Sequence, residues 1–418
     1  MDISELPEIK FPTHEESIIK VIGVGGGGSN AVNRMLKLGI YGVDFVVCNT
    51  DIQALRDSPV KNRIQLGEKL TEGLGAGSKP ERGRAAALES MSYISGFLAK
   101  KTKMVFITAG MGGGTGTGAA PEIARTAKSM EILTVGVVTI PFSFEGKRKM
   151  QHAMDGINEL RLHVDALLII QNDRLRNIYG DLKLSECFAH ADDVLAKAVK
   201  SIAEIIHHTA YVHVDFKDIE GVMRNSGVAL MGTEEAAGED RARVALEKAL
   251  VSPLLNSHDI KGATNILVNI LYGSDQVRAE ELELIINMLK EKVEGNVDII
   301  WGAGEDSSLG ANLRVAVIAV GFNHGTHSFL EIQPQVELSS SSPLSASSPA
   351  VEIEEIPEEL ELVSLNASDL EAQAREKREE KKSHPRSAKP SSGNINKLPD
   401  VEGWFASLFR SGGDDMEM

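Results

Sequence analysis

Five glycines in seven residues, GGGTGTG at Gly112 to Gly118, separate a short apolar run from an amphipathic stretch. No other feature restricts the possible folds as much. Met104, Val105, Phe106 and Ile107 predict a buried strand before the glycines, and Ala119 to Ser129 predict a helix with Pro121 in its first turn. Glycines between a strand and a helix let backbone N–H groups approach an anion closely, and the helix N-terminus adds partial positive charge. The expected guest is phosphate. No Lys-Ser or Lys-Thr pair follows the last glycine, so the charge would be met by amides, by the Thr115 and Thr117 hydroxyls and by a metal.

A chain of 418 residues can bury more than one core. Its 60 acidic and 44 basic side chains leave a formal charge of −16, which argues against nucleic acid or anionic lipid as a direct partner. Cys48 and Cys187 are the only cysteines, too few for a disulfide framework, so a reducing cytosol is expected. The first residues lack a basic and then apolar leader pattern, and no apolar run reaches the roughly 20 residues of a membrane span, so neither export nor direct membrane insertion is expected.

Strands are predicted at Ser17 to Val24, Asp44 to Asn49, Arg63 to Leu66, Lys103 to Ala109, Ile132 to Thr139 and Ala166 to Gln171, mostly with helical patterns between them. That alternation predicts an α/β, doubly wound, mostly parallel sheet with ligands at the carboxyl ends of its strands. From Ser185 to His208, Phe188, Val194, Leu195, Val199, Ile202, Ile205 and Ile206 recur at helical spacing, which predicts one long core helix between two domains. Strands at Ala263 to Tyr272, Val297 to Trp301 and Leu313 to Phe322, with helices near Asp240 to Val251 and Arg278 to Val293, predict a second, smaller α/β domain. Beyond it a Ser-, Pro-, Glu- and Lys-rich stretch predicts a disordered C-terminal tail, ending in LPDVEGWFASLFR, whose Val401, Trp404, Phe405, Leu408 and Phe409 would share a helix face. Such a face on a tether has the form of a docking peptide, or of a terminus that packs on its own body.

Two further glycine loops follow the same logic: GVGGGGSNAV at Gly23 to Val32, and GLGAGSKPERGR at Gly73 to Arg84. The first also fits G-x-G-x-x-G, but Asn49, Thr50 and Asp51 close the next strand without a clear ribose-binding acid. Together with NTDIQAL, PFSFEGKRK and NDRL, these loops resemble the FtsZ family, the bacterial tubulin homologues of cell division, from about Ser17 to Phe322. The resemblance implies a tubulin-like GTPase that binds GTP/GDP with Mg2+. It also implies head-to-tail self-association into division-ring filaments in the cytoplasm at mid-cell, with hydrolysis completed between subunits. The division of the chain becomes 1–16 N-terminal extension, 17–184 GTP-binding domain, 185–210 core helix, 211–323 second domain, 324–397 linker and 398–418 docking peptide.

Carried over by motif, Gly25, Gly26, Gly27, Gly112, Gly113, Gly114, Thr115, Gly116 and Gly118 would contact phosphates, with Gly75, Ala76 and Gly77 nearest the terminal one. Glu145 and Lys149 would meet the ribose, and Asn172, Asp193 and Phe188 the base. A carboxylate accepts from both the ring N–H and the amine of guanine, which adenine cannot offer on that edge. Asp215 and Asp218 would act on the neighbouring subunit's nucleotide, beside His213, although their spacing also suits a helix capping box. His213 replaces the usual Asn, Lys149 the usual Arg, and Gln171 and Asp192 the usual Pro and Asn. The end of the chain lacks the usual motif for FtsA-like membrane tethers, so the resemblance implies a tether without naming it. Two rival readings are a dinucleotide-dependent oxidoreductase, and a filament protein that binds GTP and hardly hydrolyses it.

Overall fold

The structure, a computed structural model, describes residues 17–180, 183–207, 210–251, 260–293 and 296–322. The expected extension 1–16, linker and docking peptide lie outside them. Six strands form a parallel sheet: β1 (Ile19–Val24), β2 (Val43–Asn49), β3 (Asn62–Gln65), β4 (Met104–Gly110), β5 (Leu133–Ile140) and β6 (Ala166–Gln171), in the order β3-β2-β1-β4-β5-β6. Helices cover both faces, which is why β1 and β5 are buried along their whole length. Lys20 lies within β1 at 1% exposure, its ammonium donating to the Phe97 carbonyl at 2.5 Å and lying 4.3 Å from that ring. The doubly wound sheet expected from the alternating pattern is therefore present.

The core helix runs Leu184–His207. Val194, Leu195, Val199, Ile202 and Ile205 are buried in one cluster with Met35 and the β1 and β5 side chains, each contributing about 1.5–3 kcal/mol by leaving water. Beyond it lie β7 (Ala210–Val212), β8 (Gly227–Ala236), β9 (Asn265–Tyr272), β10 (Asp298–Glu305) and β11 (Leu313–Val320). β8, β11 and β9 pair antiparallel, β9 and β10 parallel, and β10 and β7 antiparallel. The start of β8 also pairs in parallel with the start of β6, at Ala166 with Gly227 and Leu167 with Val228. The sequence reading has no counterpart for β7 or β8, because Gly, Thr and two Glu break the apolar run of GVALMGTEEA. Among the described residues no helix is long and apolar enough to cross a membrane.

One correction concerns the glycine loops. The helix after β4 begins at Thr115, not Ala119, and Pro121 lies in its interior rather than its first turn. The helix after β1 likewise starts at Gly25. Helix Pro80–Glu89 crosses helix Thr115–Ser129 so closely that a Cβ on Gly118 would stand 1.9 Å from the Pro80 carbonyl oxygen, and one on Gly83 2.3 Å from the Gly114 oxygen. Gly118→Ala is expected to lower unfolding free energy by about 3 kcal/mol through overpacking, whereas Gly96→Ala, on an exposed helix face with open space, should raise it by about 0.5–1 kcal/mol. Urea unfolding of the two variants measures both; equal stabilities would contradict this packing.

Candidate functional site

Two helices start side by side at the carboxyl ends of β1 and β4, and neither start is capped. The residues before them, Val24 and Gly114, make no side-chain cap bond, and neither first turn holds an acid. A helix start leaves its first amides without carbonyl partners. In the second helix the Gly118 N–H donates to the Gly114 oxygen at 3.1 Å, so the Thr115, Gly116 and Thr117 amides precede the first helical bond. A Cβ on Gly25 would lie 2.8 Å from the Gly116 nitrogen, and one on Gly27 3.0 Å from the Gly110 Cα. These glycines exist to let the two starts touch. Two partial positive ends meeting without an acid form an anion site.

Beside them a cavity of about 200 Å³ is lined by Gly27, Gly113, Glu145, Lys149, Asn172 and Phe188 from the expected set. Gly26 and Gly113 have open space where a Cβ would point, which leaves room for a ligand. Thr115 is held by its hydroxyl, 2.7 Å from that of Thr50 at the end of β2. Asn172 is 5% exposed, and its Oδ1 is buried without a hydrogen-bond partner, so a donor is missing from the cavity wall. Glu145 accepts from the Phe142 N–H at 3.0 Å and pairs with Lys149 at 3.0 Å. Phe142 is buried, stacked on Phe144 at 4.9 Å and edge-on to Phe188 at 5.3 Å, forming an aromatic wall.

Several expected residues take other roles. The Gly112 N–H donates to the Thr117 hydroxyl at 2.8 Å, and the Gly118 N–H is spent within its helix, so neither amide is free for phosphate. Gly75, Ala76 and Gly77 do not line the cavity. Their loop packs instead against the second helix start, the Ala76 Cβ lying 2.8 Å from where a Cβ on Gly114 would stand, while the Gly75 N–H donates to the Thr50 oxygen at 3.2 Å. Asp193 turns away to pair with Arg34, and Asp192 occupies the cavity wall instead. Burial and the Asp193 charge push the Asp192 carboxyl up to about 7, against the pull of Arg34. Asn30 and Thr139 also line the cavity and were not legible, since only the helix turn after Gly27 and the end of β5 bring them there.

Asp215, Asp218 and His213 are exposed and outside this cavity. The two acids form the capping box of helix Phe216–Met223: the Asp218 N–H donates to Asp215 at 2.9 Å and the Asp215 N–H to Asp218 at 3.0 Å. A second cavity of about 220 Å³, between helices Pro80–Glu89, Thr115–Ser129 and Lys147–Arg161, offers no comparable anion site, because Glu122 and Glu159 are among its walls. The Asp51 carboxylate after β2 caps helix Ile52–Asp57 by accepting from the Gln53 and Ala54 N–H groups, and so does not serve a dinucleotide ribose.

A parallel sheet with bare glycine helix starts beside an aromatic-walled cavity is the arrangement of a nucleotide-binding protein. Residues 18–180 match the Tubulin/FtsZ family, GTPase domain, and residues 227–323 match the FtsZ family, C-terminal domain. The chain belongs to the FtsZ family and carries its GTPase domain. It is similar to the cell division protein FtsZ of Porphyromonas gingivalis, at 49% identity over 74% of this chain and 68% of that protein. It is also 46% identical to that of Aquifex aeolicus, over 73% of this chain and 83% of the relative. Among solved structures, the empty FtsZ dimer of M. jannaschii superposes with a TM-score of 0.68 at 41% identity, covering 74% of this chain and 89% of that one. The GTPase identity resolves the dinucleotide alternative.

Gly113→Val is expected to fill the cavity without disturbing the fold, since no protein atom lies within 4 Å of the added Cβ position. GTP affinity of the isolated subunit should fall at least about 10-fold at unchanged melting temperature, one tenfold step being about 1.4 kcal/mol. Calorimetric titration beside thermal unfolding checks this, and wild-type affinity would remove Gly113 from the ligand's path.

Proposed function

We propose that this chain is a GTP-dependent, filament-forming GTPase of the bacterial division ring, working in the cytoplasm at mid-cell and hydrolysing GTP to GDP and phosphate at contacts between copies. The observation that carries the reading is the pairing of two bare helix starts with a buried, unpartnered Asn172 Oδ1 on one cavity. The relatives named as cell division proteins, and the M. jannaschii FtsZ dimer, support self-association.

In this reading the amides of Gly25, Gly26, Gly27, Gly113, Gly114, Thr115 and Gly116 hold phosphate oxygens, and the Gly75–Gly77 loop closes over the terminal one. Mg2+ would be held through those oxygens and water, where it neutralises charge; the described residues contain no group of three metal-ligating side chains of their own. Glu145 and Lys149 meet the ribose, Phe188 flanks the ring, and Asn172 accepts from the base. Asp192 takes the role that the family resemblance implied for Asp193, its carboxylate accepting from the ring N–H and amine of guanine.

Each acid of the Asp215–Asp218 box spends one oxygen on the other's N–H, and both residues are exposed. Being exposed and outside their own chain's cavity, they suit a neighbouring subunit's nucleotide. There they would orient a water against the terminal phosphorus and accept its proton as the bond to the GDP oxygen breaks. His213, exposed beside them, can donate from one nitrogen and accept at the other, as the amide it replaces does. The segment 398–418 is assigned to an FtsA-like or other membrane tether.

Two outcomes test these assignments. Asp192 binds guanine ionised, so GTP affinity should fall as pH drops through about 7, at most tenfold per unit. That fall should be absent in Asp192→Asn. A rise in affinity toward acid pH would mean that Asp192 faces phosphate instead. Asp215→Ala should keep GTP affinity and GTP-driven pelleting while losing phosphate release per pelleted subunit by about 100-fold or more. Loss of GTP affinity in the isolated subunit would contradict action between subunits.

A further inference from the structure

Helix Phe216–Met223 is only eight residues long, about 12 Å, so the direction in which it presents Asp215 and Asp218 depends on how its far end is held. Ile219, Val222 and Met223 pack into the core and fix its depth. The polar fixings of the far end converge on one residue, Asp165. Asp165 immediately precedes β6, is 1% exposed, and accepts the Thr134 N–H at 2.9 Å from the neighbouring strand β5. It also accepts the Asn225 N–H at 3.3 Å, and its carboxylate lies 3.5 Å from the Arg224 guanidinium and 3.7 Å from the Lys128 ammonium. Its main-chain oxygen accepts the Gly227 N–H at 2.9 Å and the Ser226 hydroxyl at 3.4 Å.

Residues 224–226, the whole link between that helix and β8, and Gly227 at the start of β8 are thus tied to one buried residue, the first two through its carboxylate and the others through its main-chain oxygen. The link is not relaxed by itself. Asn225 has a φ of +52°, a region that side-chain-bearing residues enter at a cost, and its N–H bond to Asp165 offsets that cost. Arg224 also pairs with Glu220 inside the helix and donates to the Glu131 carbonyl at 3.3 Å, so it clamps the helix end to the β5 side of the sheet. A buried carboxylate is expensive, and an apolar or amide side chain could fill the volume. An amide, however, cannot accept from both backbone N–H groups while facing two cations, because one of its two ends only donates.

We propose that Asp165 is a positioning residue for hydrolysis, holding the end of helix Phe216–Met223 so that Asp215 and Asp218 are aimed at the neighbouring subunit's nucleotide. The inference rests on the assignment of those two acids made above. Asp165 does not line the cavity. Since β6 separates it from Asn172, its own chain's cavity lies at the opposite end of the strand. Loss of the anchor should therefore change turnover and leave nucleotide binding alone.

The test uses the full chain and the variants Asp165→Asn, Arg224→Ala and Asp215→Ala, with GTP affinity, pelleted mass, phosphate release per pelleted subunit and amide exchange read for each. For Asp165→Asn the expected results are unchanged GTP affinity and unchanged KM. Its kcat should fall at least about 10-fold, as for a misplacement on the order of 1 Å, and exchange at the Ile219–Met223 amides should be faster. Arg224→Ala, a partly exposed side chain, should show a smaller loss of kcat in the same direction, and it decides the matter if Asp165→Asn does not fold. Wild-type kcat in both variants, or reduced GTP affinity in the isolated Asp165→Asn subunit, would overturn the anchor. If Asp215→Ala abolishes turnover while both anchor variants remain wild type, only the anchor fails. If Asp215→Ala retains turnover, the acids are misassigned and the anchor falls with them.

Discussion

Backbone N–H groups at a helix start have no carbonyl to bond, and most helices satisfy them with a Ser, Thr, Asp or Asn side chain. Here two helices start at Gly25 and Thr115 without such a cap, and they start in contact. Much of the local architecture follows from keeping those amides bare and adjacent. The glycines remove the side chains that would hold the starts apart. The parallel strands β1 and β4, neighbours in the sheet, deliver both starts to the same edge. The Thr115 and Thr117 hydroxyls brace the loop from within rather than capping it, one against Thr50 and the other under the Gly112 N–H. An anion completes the arrangement.

This constraint also explains what could be read from sequence and what could not. The parallel sheet was legible because strands buried on both faces must be apolar throughout, as β4 and β5 are. The glycine clusters were legible as phosphate loops, but not which glycines serve packing. Gly118 and Gly83 are required by the crossing of two helices, and from sequence they look no different from Gly113, which faces open space. Asp192 and Asp193 are adjacent on one helix, and roughly 100° of rotation separates the cavity wall from Arg34. Motif spacing alone did not resolve that angle. β8 escaped because its polar residues sit at a strand end that pairs with Arg314-bearing β11, where Glu235 is bonded at 2.8 Å rather than buried among apolar side chains.

The sheet places the two halves of the proposed chemistry apart. Asn172 follows the carboxyl end of β6 on the cavity, while Asp165 and the link to β8 lie at its amino end. In the proposed reading the acids of one chain therefore serve the nucleotide of another copy rather than their own. The same distance lets binding and hydrolysis be altered separately.

In the proposed site bare amides, rather than cationic side chains, hold the phosphates. Hydrogen exchange resolved to single amides, on the isolated subunit with and without GDP, tests it most directly. Strong added protection is expected at Gly26, Gly27, Gly113 and Gly116 with little change at Gly112 and Gly118, whose N–H groups already have partners. Protection confined to residues outside the two helix starts, with those four amides unchanged, would contradict it.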